Sequence, residues 1–361
     1  MIGTLIGSGI AACTIYAGMK WEDKETKKIK NVFRNIGYRV KDHEPRLKRK
    51  DKKDNYIDYI FTVPYGLVDD NRLQPILEKT LIKPVKILFK GVLIVRVYNN
   101  NLPQHIDYDW SNSDKWTVPI GKSQDGMVYH DFDKIPHMAL SGTTRYGKTV
   151  LLKLMFAHLI NNNPDVQFYI IDLKRLEFSK YSNLKQVNQV ARTKNEARQC
   201  LEMIVNDIDN TMDYFEKEGI NNISNTNITW RKFIIVDEGG QLDDSLHEHI
   251  EKVAMVGGGI GYRLIFATQY GTGDVFPRQV KQNSDAKIAF RLPTDVASRV
   301  AIDESGAEKI DNVGRAIYRT AERELVQVPY INDNEILERL DKHVSHKRKV
   351  EQVRNDTIEF G

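Results

Sequence analysis

Apolar runs alternate with helical patterns along the second half of the chain. The strands predicted from these runs are, in chain order, 137–141, 166–172, 233–236, 263–267, 286–290, 315–318 and 325–328. A helix predicted over 195–218 places its apolar residues on one face, and a helix over 147–160 is apolar nearly all round, as a buried helix should be. Strands that alternate with helices predict an α/β fold with a mainly parallel sheet that is covered on both faces.

A smaller pattern precedes this region. Residues 56–63 are rich in aromatic and β-branched types, residues 72–81 can form a helix, and apolar positions alternate again over 85–97. This order of strand, helix and strand predicts a small α+β module over 55–98. Asparagine, proline and other polar residues dominate 99–117, which predicts a linker.

The first nineteen residues carry no charged side chain, and such a stretch is long enough for a membrane-spanning helix. Several lysines follow between Lys20 and Lys30, and the positive-inside rule would then keep the remaining chain in the cytoplasm. We therefore expect a single-pass protein of the cell membrane. The alternative is a cytoplasmic protein in which residues 1–19 are buried or disordered.

Basic side chains are concentrated in one segment, although the net charge of the chain is only +4. Residues 20–54 contain 14 Lys or Arg against 7 Asp or Glu. They predict a basic linker that contacts nucleic acid or anionic lipid, with a merely solvated linker as the alternative. Residues 331–361 are polar and predict a charged tail with a helix. Cys13 and Cys200 form no metal or redox motif, which indicates a reducing setting.

A glycine-rich segment separates the predicted strand 137–141 from the helix after it. Its spacing, G-x-x-x-x-G-K-T, is that of a P-loop. The nucleotide-binding residues it predicts are Gly142, Thr143, Thr144, Arg145, Tyr146, Gly147, Lys148 and Thr149. In such a loop backbone N–H groups hold the phosphates, Lys148 neutralises the β and γ oxygens, and the Thr149 hydroxyl binds Mg²⁺.

Polar side chains end two further predicted strands. Asp237 and Glu238 follow 233–236, and we expect Asp237 to hold Mg²⁺ through water and Glu238 to deprotonate the attacking water. Adjacent strand residues point to opposite sides, so the two carboxylates have different tasks. Gln269 ends another strand and could sense the γ-phosphate, or be a structural strand end. Lys148, Glu238 and Gln269 are the predicted catalytic residues of a P-loop ATPase.

In this order the motifs resemble the FtsK/SpoIIIE family of hexameric double-stranded DNA translocases, and in particular the related ATPases of conjugative and other mobile elements. The resemblance covers about 118–330. It rests also on the segments Ile170–Lys174, Phe266–Gln269, Ala286–Arg291, Ala297–Arg299 and Ser305–Glu308. It implies RecA-like P-loop NTPase motor domains in a ring, which thread duplex DNA and hydrolyse ATP between neighbouring subunits.

The sequence departs from the family pattern at three places. Arg145 and Tyr146 occupy P-loop positions that are small in family motors. Gly258 stands where those motors offer an arginine to a neighbour's nucleotide, and candidate replacements are Arg263, Arg291 and Arg299. The chain after Val328 is too short for the winged-helix domain of chromosome translocases, so we expect no sequence-directed loading by that route.

We therefore expect a membrane-tethered coupling ATPase that moves DNA for a mobile genetic element in conjugative transfer. Its expected ligands are ATP and Mg²⁺, and its expected partners are duplex DNA, further copies of itself in a hexameric ring, and a relaxase or other transfer proteins. Two alternatives stay open. One is a phage-type DNA-packaging ATPase, and the other is a non-hydrolysing adaptor that binds ATP and DNA, which Gly258 favours.

Overall fold

The parts of the 361-residue chain that the computed structural model describes are 23–110, 115–269 and 276–345. The chain divides into two compact units, Met1–Asn101 and Leu102–Gly361. No helix in the described part is both long and apolar enough to cross a membrane. The predicted membrane segment, 1–19, lies outside the described residues.

The first unit contains a small antiparallel sheet. Its elements are α1 (Lys24–Asn35), β1 (Arg46–Lys52), β2 (Tyr56–Thr62), α2 (Leu73–Leu81), β3 (Val85–Phe89) and β4 (Leu93–Tyr98). The four strands are antiparallel in the order β1-β2-β4-β3. Phe33 of α1 and Leu77 of α2 share one hydrophobic core with Phe61 and Val95 of the sheet.

The prediction of a basic linker over 20–54 is wrong, because α1 and β1 lie within it. α1 buries Ile29, Val32 and Phe33, a spacing that gives a helix one apolar face. β1 is strongly basic, but it pairs with β2, and its Leu47 packs against the core of the unit. The linker prediction rested on the high number of charged residues, which does not reveal the few apolar positions that pack into the core.

The predicted order of strand, helix and strand in this unit is confirmed only in part. β2 and α2 lie where the sequence predicts them. Residues 85–97, predicted as one alternating segment, form the hairpin of β3 and β4. The chain reverses near Gly91, whose φ of +69° suits a tight turn and is rare for other residues.

The second unit is built on one large sheet. Its strands are β5 (Thr117–Ser123), β6 (Gly126–Asp131), β7 (Met138–Ser141), β8 (Val166–Asp172), β9 (Val187–Ala191), β10 (Arg231–Asp237), β11 (Tyr262–Thr268), β12 (Ala286–Ala289), β13 (Arg315–Arg319) and β14 (Arg323–Gln327). Its α-helices are α3 (Lys148–Asn162), α4 (Lys194–Lys217), α5 (Asp244–Val256), α6 (Arg278–Asn283), α7 (Asp295–Ile302) and α8 (Asp333–Leu340). Short 3₁₀ turns occur at Ser179–Tyr181, Ile223–Asn225, Gly239–Gln241, Gly258–Ile260, Ala307–Lys309 and Asp341–His343.

The strand order of this sheet is β6-β5-β14-β13-β12-β7-β11-β10-β8-β9. The strands from β12 to β9 are parallel, and those from β6 to β12 pair antiparallel. The α/β fold and all seven predicted strands are confirmed, and the sheet is mixed, with six parallel strands from β12 to β9 beside an antiparallel part. β6 and β9 escape prediction because they are short and only partly buried. β5 is mostly buried, but Pro119 and Gly121 interrupt its apolar pattern.

Helices cover both faces of the sheet, as predicted. α3 is buried nearly all round in a core that also contains Met138 and Leu140 of β7. α4 and α5 pack against the opposite face, where the intervening Ala139 of β7 lies. This alternation follows from the period of two in a β-strand.

The predicted linker is more ordered than expected, and the helix predicted in the tail is present. The predicted linker 99–117 is wrong at its centre, because Tyr108 hydrogen-bonds to the backbone of Tyr330 and Trp110 to Glu335. The predicted tail 331–361 contains the helix α8, which buries Ile336 and Leu340 in the main core. Residues 346–361 of the predicted tail lie outside the described residues.

Candidate active site

The predicted P-loop, 142–149, joins β7 to α3. α3 begins at Lys148, so the loop lies at the carboxyl edge of the parallel strands, where α/β sheets bind ligands. Gly147 has a φ of +110°, which residues with a side chain rarely adopt. At Gly142 an added Cβ atom would lie 2.6 Å from the Cβ atom of Phe290. Both glycines of the motif therefore satisfy a steric requirement of the loop.

Hydrogen bonds attach the beginning of the loop to the ends of the neighbouring strands. The N–H of Gly142 donates to the carbonyl of Thr268 at 3.3 Å, at the end of β11. The N–H of Thr143 donates to the carbonyl of Arg291 at 2.9 Å, just after β12. These two backbone donors therefore fix the loop to the sheet.

Arg145 and Tyr146 are the two unusual residues of the loop. Arg145 is exposed, and its φ of +70° is uncommon for a residue other than glycine. The ring of Tyr146 packs against the core, 5.5 Å from the guanidinium carbon of Arg291, and its carbonyl accepts a hydrogen bond from Gly314 at 3.0 Å. Arg145 thus faces the surface, whereas Tyr146 supports the loop from inside.

The predicted catalytic lysine meets both predicted carboxylates. The Nζ atom of Lys148 lies 3.1 Å from Oδ1 of Asp237 and 2.8 Å from Oε1 of Glu238, and all three side chains are buried. Burial raises the pKa of the Asp237 carboxyl, and the charge of Lys148 opposes this rise. Glu238 follows β10 with a φ of +61°, so its backbone leaves the strand direction at once.

A second lysine, whose role the sequence did not predict, reaches the same carboxylate. The Nζ atom of Lys174 lies 3.2 Å from Oε1 of Glu238. Lys174 follows Asp172, the last residue of β8 and the register partner of Asp237 in β10. The carboxylate of Asp172 accepts backbone hydrogen bonds from Arg175, Glu177 and Phe178 at 2.9 to 3.0 Å, which fixes the loop that carries Lys174. The only sequence feature that pointed to Lys174 is its place in Ile170–Lys174, one of the segments that resemble the family.

One cleft of about 560 Å³ joins the predicted residues. Gln269, directly after β11, lines it, as the sequence predicted. Its other lining residues from the predicted site are Thr143, Thr144, Arg145, Gly147, Lys148, Thr149, Asp237 and Glu238. Gly142 and Tyr146 do not line it and act on the shape of the loop. The cleft volume lies within the range of small-molecule sites.

The donor set suits a magnesium ion that takes most of its ligands from elsewhere. Within the described residues no group of three or more His, Cys, Asp or Glu could hold a metal ion. The hydroxyl of Thr149 and the carboxylate of Asp237 line the same cleft. Mg²⁺ is commonly held by one or two such oxygens together with water and substrate phosphates, so these residues fit it.

One of the three candidate finger arginines is excluded. Arg263 is only 1% exposed and donates to the carboxylate of Asp133 at 2.8 Å and to the carbonyl of Gly258 at 2.7 Å. It cannot reach a neighbouring subunit. Arg299 is exposed on α7, and Arg291 is partly exposed beside the P-loop, so both stay candidates.

The glycine at the expected finger position has a steric reason. A Cβ atom on Gly258 would lie 2.8 Å from Cγ of Pro136. The 3₁₀ turn that begins at Gly258 therefore has no room for an arginine without rearrangement.

The model of the FtsK/SpoIIIE family matches residues 104–334. The chain belongs to the FtsK/SpoIIIE family. The match covers the whole cleft, including segments on both sides of the 118–330 region that carried the resemblance. All residues predicted to bind nucleotide lie within it.

Members of the FtsK/SpoIIIE family with similar sequences include two DNA translocases FtsK. That of Chlorobaculum tepidum is 26% identical over 285 residues, which are 72% of this chain and 34% of the relative. That of Streptococcus pneumoniae is 26% identical over 245 residues, 61% of this chain and 32% of the relative. The match thus spans about a third of the length of these relatives.

Solved structures with similar folds include the pCW3 conjugation coupling protein TcpA, in its monomer form with ATPγS. It superposes with a TM-score of 0.63 at 19% identity over 88% of this chain and 99% of its own. ATPases 2 and 3 of EssC from Geobacillus thermodenitrificans give a TM-score of 0.59 at 16% identity, over 70% of this chain and 53% of theirs. These likenesses confirm the P-loop ATPase fold.

Proposed function

We propose that this protein is an ATP-driven motor that translocates double-stranded DNA, and that it serves the conjugative transfer of a mobile genetic element. The observation that carries the proposal is the meeting of Lys148, Asp237 and Glu238 in one cleft beside the P-loop. Membership of the FtsK/SpoIIIE family supports the movement of DNA. The likeness to the coupling protein TcpA over 88% of the chain supports a part in conjugation.

The residues of the cleft divide the work of ATP hydrolysis. Lys148 neutralises the terminal phosphates, whose oxygens compete for its amino group with the two carboxylates. Thr149, and Asp237 through water, would hold Mg²⁺, which would neutralise charge on the phosphate oxygens. Glu238 accepts the proton of the attacking water, and Gln269 contacts the γ-phosphate.

Duplex DNA and other copies of the chain are the proposed partners. β1 exposes Arg46, Lys48, Arg49 and Lys50, and basic side chains of this kind contact DNA phosphates. A hexameric ring would bring an exposed arginine of one subunit to the nucleotide of the next. Relaxase or other transfer proteins are proposed as further partners.

Membrane attachment through residues 1–19 is also proposed, with the ATPase unit in the cytoplasm. The uncharged composition of this segment supports it. A carbonate wash of membranes from expressing cells tests it, since an inserted helix keeps the protein in the membrane fraction. Release of all the protein would contradict it.

The deciding experiment for the motor is an ATPase assay at increasing protein concentration, with and without duplex DNA. We expect cooperative activation that requires DNA, loss of activity in Lys148→Ala, and retained ATP binding without turnover in Glu238→Gln. An ATP turnover rate that is the same with and without duplex DNA would contradict the proposed motor. Background turnover at every concentration would instead support the non-hydrolysing adaptor, which the glycine at position 258 favours.

A further inference from the structure

Two aromatic rings line the cleft outside the predicted motifs. His105 and Tyr330 both border it, and their ring centroids lie 5.7 Å apart with an angle of 44° between the planes. The side chain of His105 is 62% exposed, and Tyr330 is 49% exposed. Exposed rings within a concave site offer flat surfaces for a flat ligand group.

The backbone holds these rings in position. Tyr330 donates its N–H to the carbonyl of Ile106 at 2.7 Å, and its own carbonyl accepts from the N–H of Tyr108 at 3.0 Å. Nε2 of His105 lies 2.9 Å from Oδ1 of Asp107. The two rings therefore lie on a short parallel pairing of two segments that are distant in sequence, and not on freely moving loops.

The lining of the cleft is polar at the P-loop and becomes aromatic and apolar near His105 and Tyr330. The P-loop contributes backbone N–H groups, Lys148 and Thr149, whereas the segment around Tyr330 contributes Val328 and Pro329. Gln327 cannot serve a ligand freely, because its side chain already bonds to Arg315 and to the carbonyl of Val313. Aromatic and apolar surfaces suit the base of a nucleotide rather than its phosphates.

We propose that His105 and Tyr330 form the base subsite of the cleft, and that they select a purine nucleoside triphosphate by stacking against its base. This inference rests on the proposed binding of ATP in the same cleft. The P-loop then supplies affinity for the triphosphate, and the ring pair supplies the preference for a purine. A purine offers a larger stacking surface than a pyrimidine, so ATP should bind more tightly than CTP.

Calorimetric titration of the full chain with ATP, CTP and inorganic tripolyphosphate separates the two parts of the site. Tyr330→Ala should weaken ATP binding about tenfold, the loss expected for one stacked base, and leave tripolyphosphate binding unchanged. His105→Ala should act in the same direction, and Tyr330→Phe should bind ATP like the wild type. Lys148→Ala should differ from both ring variants, because it should weaken the binding of ATP and of tripolyphosphate alike.

Tyr214→Ala is the matched control, because it removes a ring that is 51% exposed on α4, outside the cleft. Unchanged ATP affinity in both Tyr330→Ala and His105→Ala, or equal losses for ATP and tripolyphosphate, would overturn the subsite. A wild-type protein that binds ATP through these rings but ignores DNA would overturn the proposed motor and leave the subsite standing. A wild-type protein that binds no ATP would overturn both.

Discussion

The Nζ atom of Lys174 and the Oε1 atom of Glu238 lie 3.2 Å apart, and the same oxygen is 2.8 Å from Lys148. In the proposed ATP site, Lys148 would also bind the phosphates of the nucleotide. Lys174 is therefore the partner that can keep the Glu238 carboxylate in place when Lys148 turns to a phosphate. Its position depends on the loop that Asp172 fixes through three backbone hydrogen bonds.

We predict that Lys174→Met lowers the DNA-stimulated kcat about tenfold while the Kd for ATP changes little, because a misplaced general base loses part of its catalytic contribution. Steady-state kinetics and calorimetry provide the two numbers. Lys174→Arg, which keeps the charge, should recover most of the rate. Lys134→Met, at a surface lysine, is the control. A proportional loss of ATP affinity in Lys174→Met would instead identify Lys174 as a phosphate ligand.

Asp133 forms an ion-pair cluster with Arg231 and Arg263 away from the cleft, and we expect its substitution to destabilise the fold strongly. The carboxylate of Asp133 accepts from both Arg231 and Arg263, each at 2.8 Å. Asp133→Ala leaves these buried guanidinium groups without their carboxylate, so we predict a loss of about 3–5 kcal/mol in the free energy of unfolding. Urea denaturation measures it. Asp295→Ala, which breaks an exposed pair with Arg299, should cost less than about 0.5 kcal/mol, and similar losses in both variants would contradict the argument.

The same cluster has a pH signature. Burial tends to raise the pKa of Asp133, but hydrogen bonds from Arg231 and Arg263 outweigh it and lower that pKa below 3.8. A lowered carboxyl pKa stabilises the fold at and above the unfolded-state pKa, and this contribution is lost as pH falls below about 4. We expect this loss in wild-type unfolding curves and not in Asp133→Asn.

Two buried histidines should make the free energy of unfolding depend on pH in a higher range than Asp133 does. Burial lowers the pKa of His130 to about 4, and burial together with the charge of Arg263 lowers that of His137 to about 3. Both side chains are neutral in the fold at neutral pH, and both become protonated when the protein unfolds below about pH 6.5. As pH falls from 6 to 4, each histidine should therefore lower the free energy of unfolding by about 1.4 kcal/mol per pH unit. Denaturation at several pH values should give a shallower slope for His130→Gln with His137→Gln.

Arg299 is the exposed arginine that we expect to complete a neighbour's site. Arg299→Ala should reduce turnover by about 10³-fold, because a missing finger leaves transition-state charge unbalanced, while ATP binding to each subunit persists. Arg291→Ala is the comparison, since Arg291 lies beside its own subunit's P-loop.

Mixing two inactive proteins tests whether the site is shared. Subunits with Lys148→Ala and subunits with Arg299→Ala should regain part of the activity together, because some interfaces then hold one intact half from each. Absence of recovery, with Arg299→Ala inactive alone, would place its action within one subunit. Wild-type turnover in Arg299→Ala would remove it as the finger.

The phosphate-binding part of the site can be predicted from the sequence because each residue lies at the end of a local pattern. Lys148 follows a fixed spacing of glycines, and Asp237 and Gln269 end apolar runs, so the carboxyl edge of the sheet brings them together. The ring pair cannot be predicted in this way. His105 and Tyr330 lie in separate segments without a motif, and only the backbone pairing places them side by side.

Other failures of prediction also have particular causes. Arg263 lies at the start of an apolar strand, where the spacing alone does not distinguish a buried ion pair from a surface arginine. The directions of β13 and β14 follow from a short connection between them and not from their apolar pattern. In α1, the charges on one face outnumber the three apolar residues that fix the helix to its core.

The attachment of the P-loop has a mechanical consequence. Gly142 is bonded to the residue just before Gln269, and Thr143 is bonded to Arg291, whose side chain reaches the surface. Phosphates that pull on the loop must strain or break these bonds. A nucleotide that moved the loop would therefore also act on two strand ends, one that leads to Gln269 in the cleft and one that leads to Arg291 at the surface.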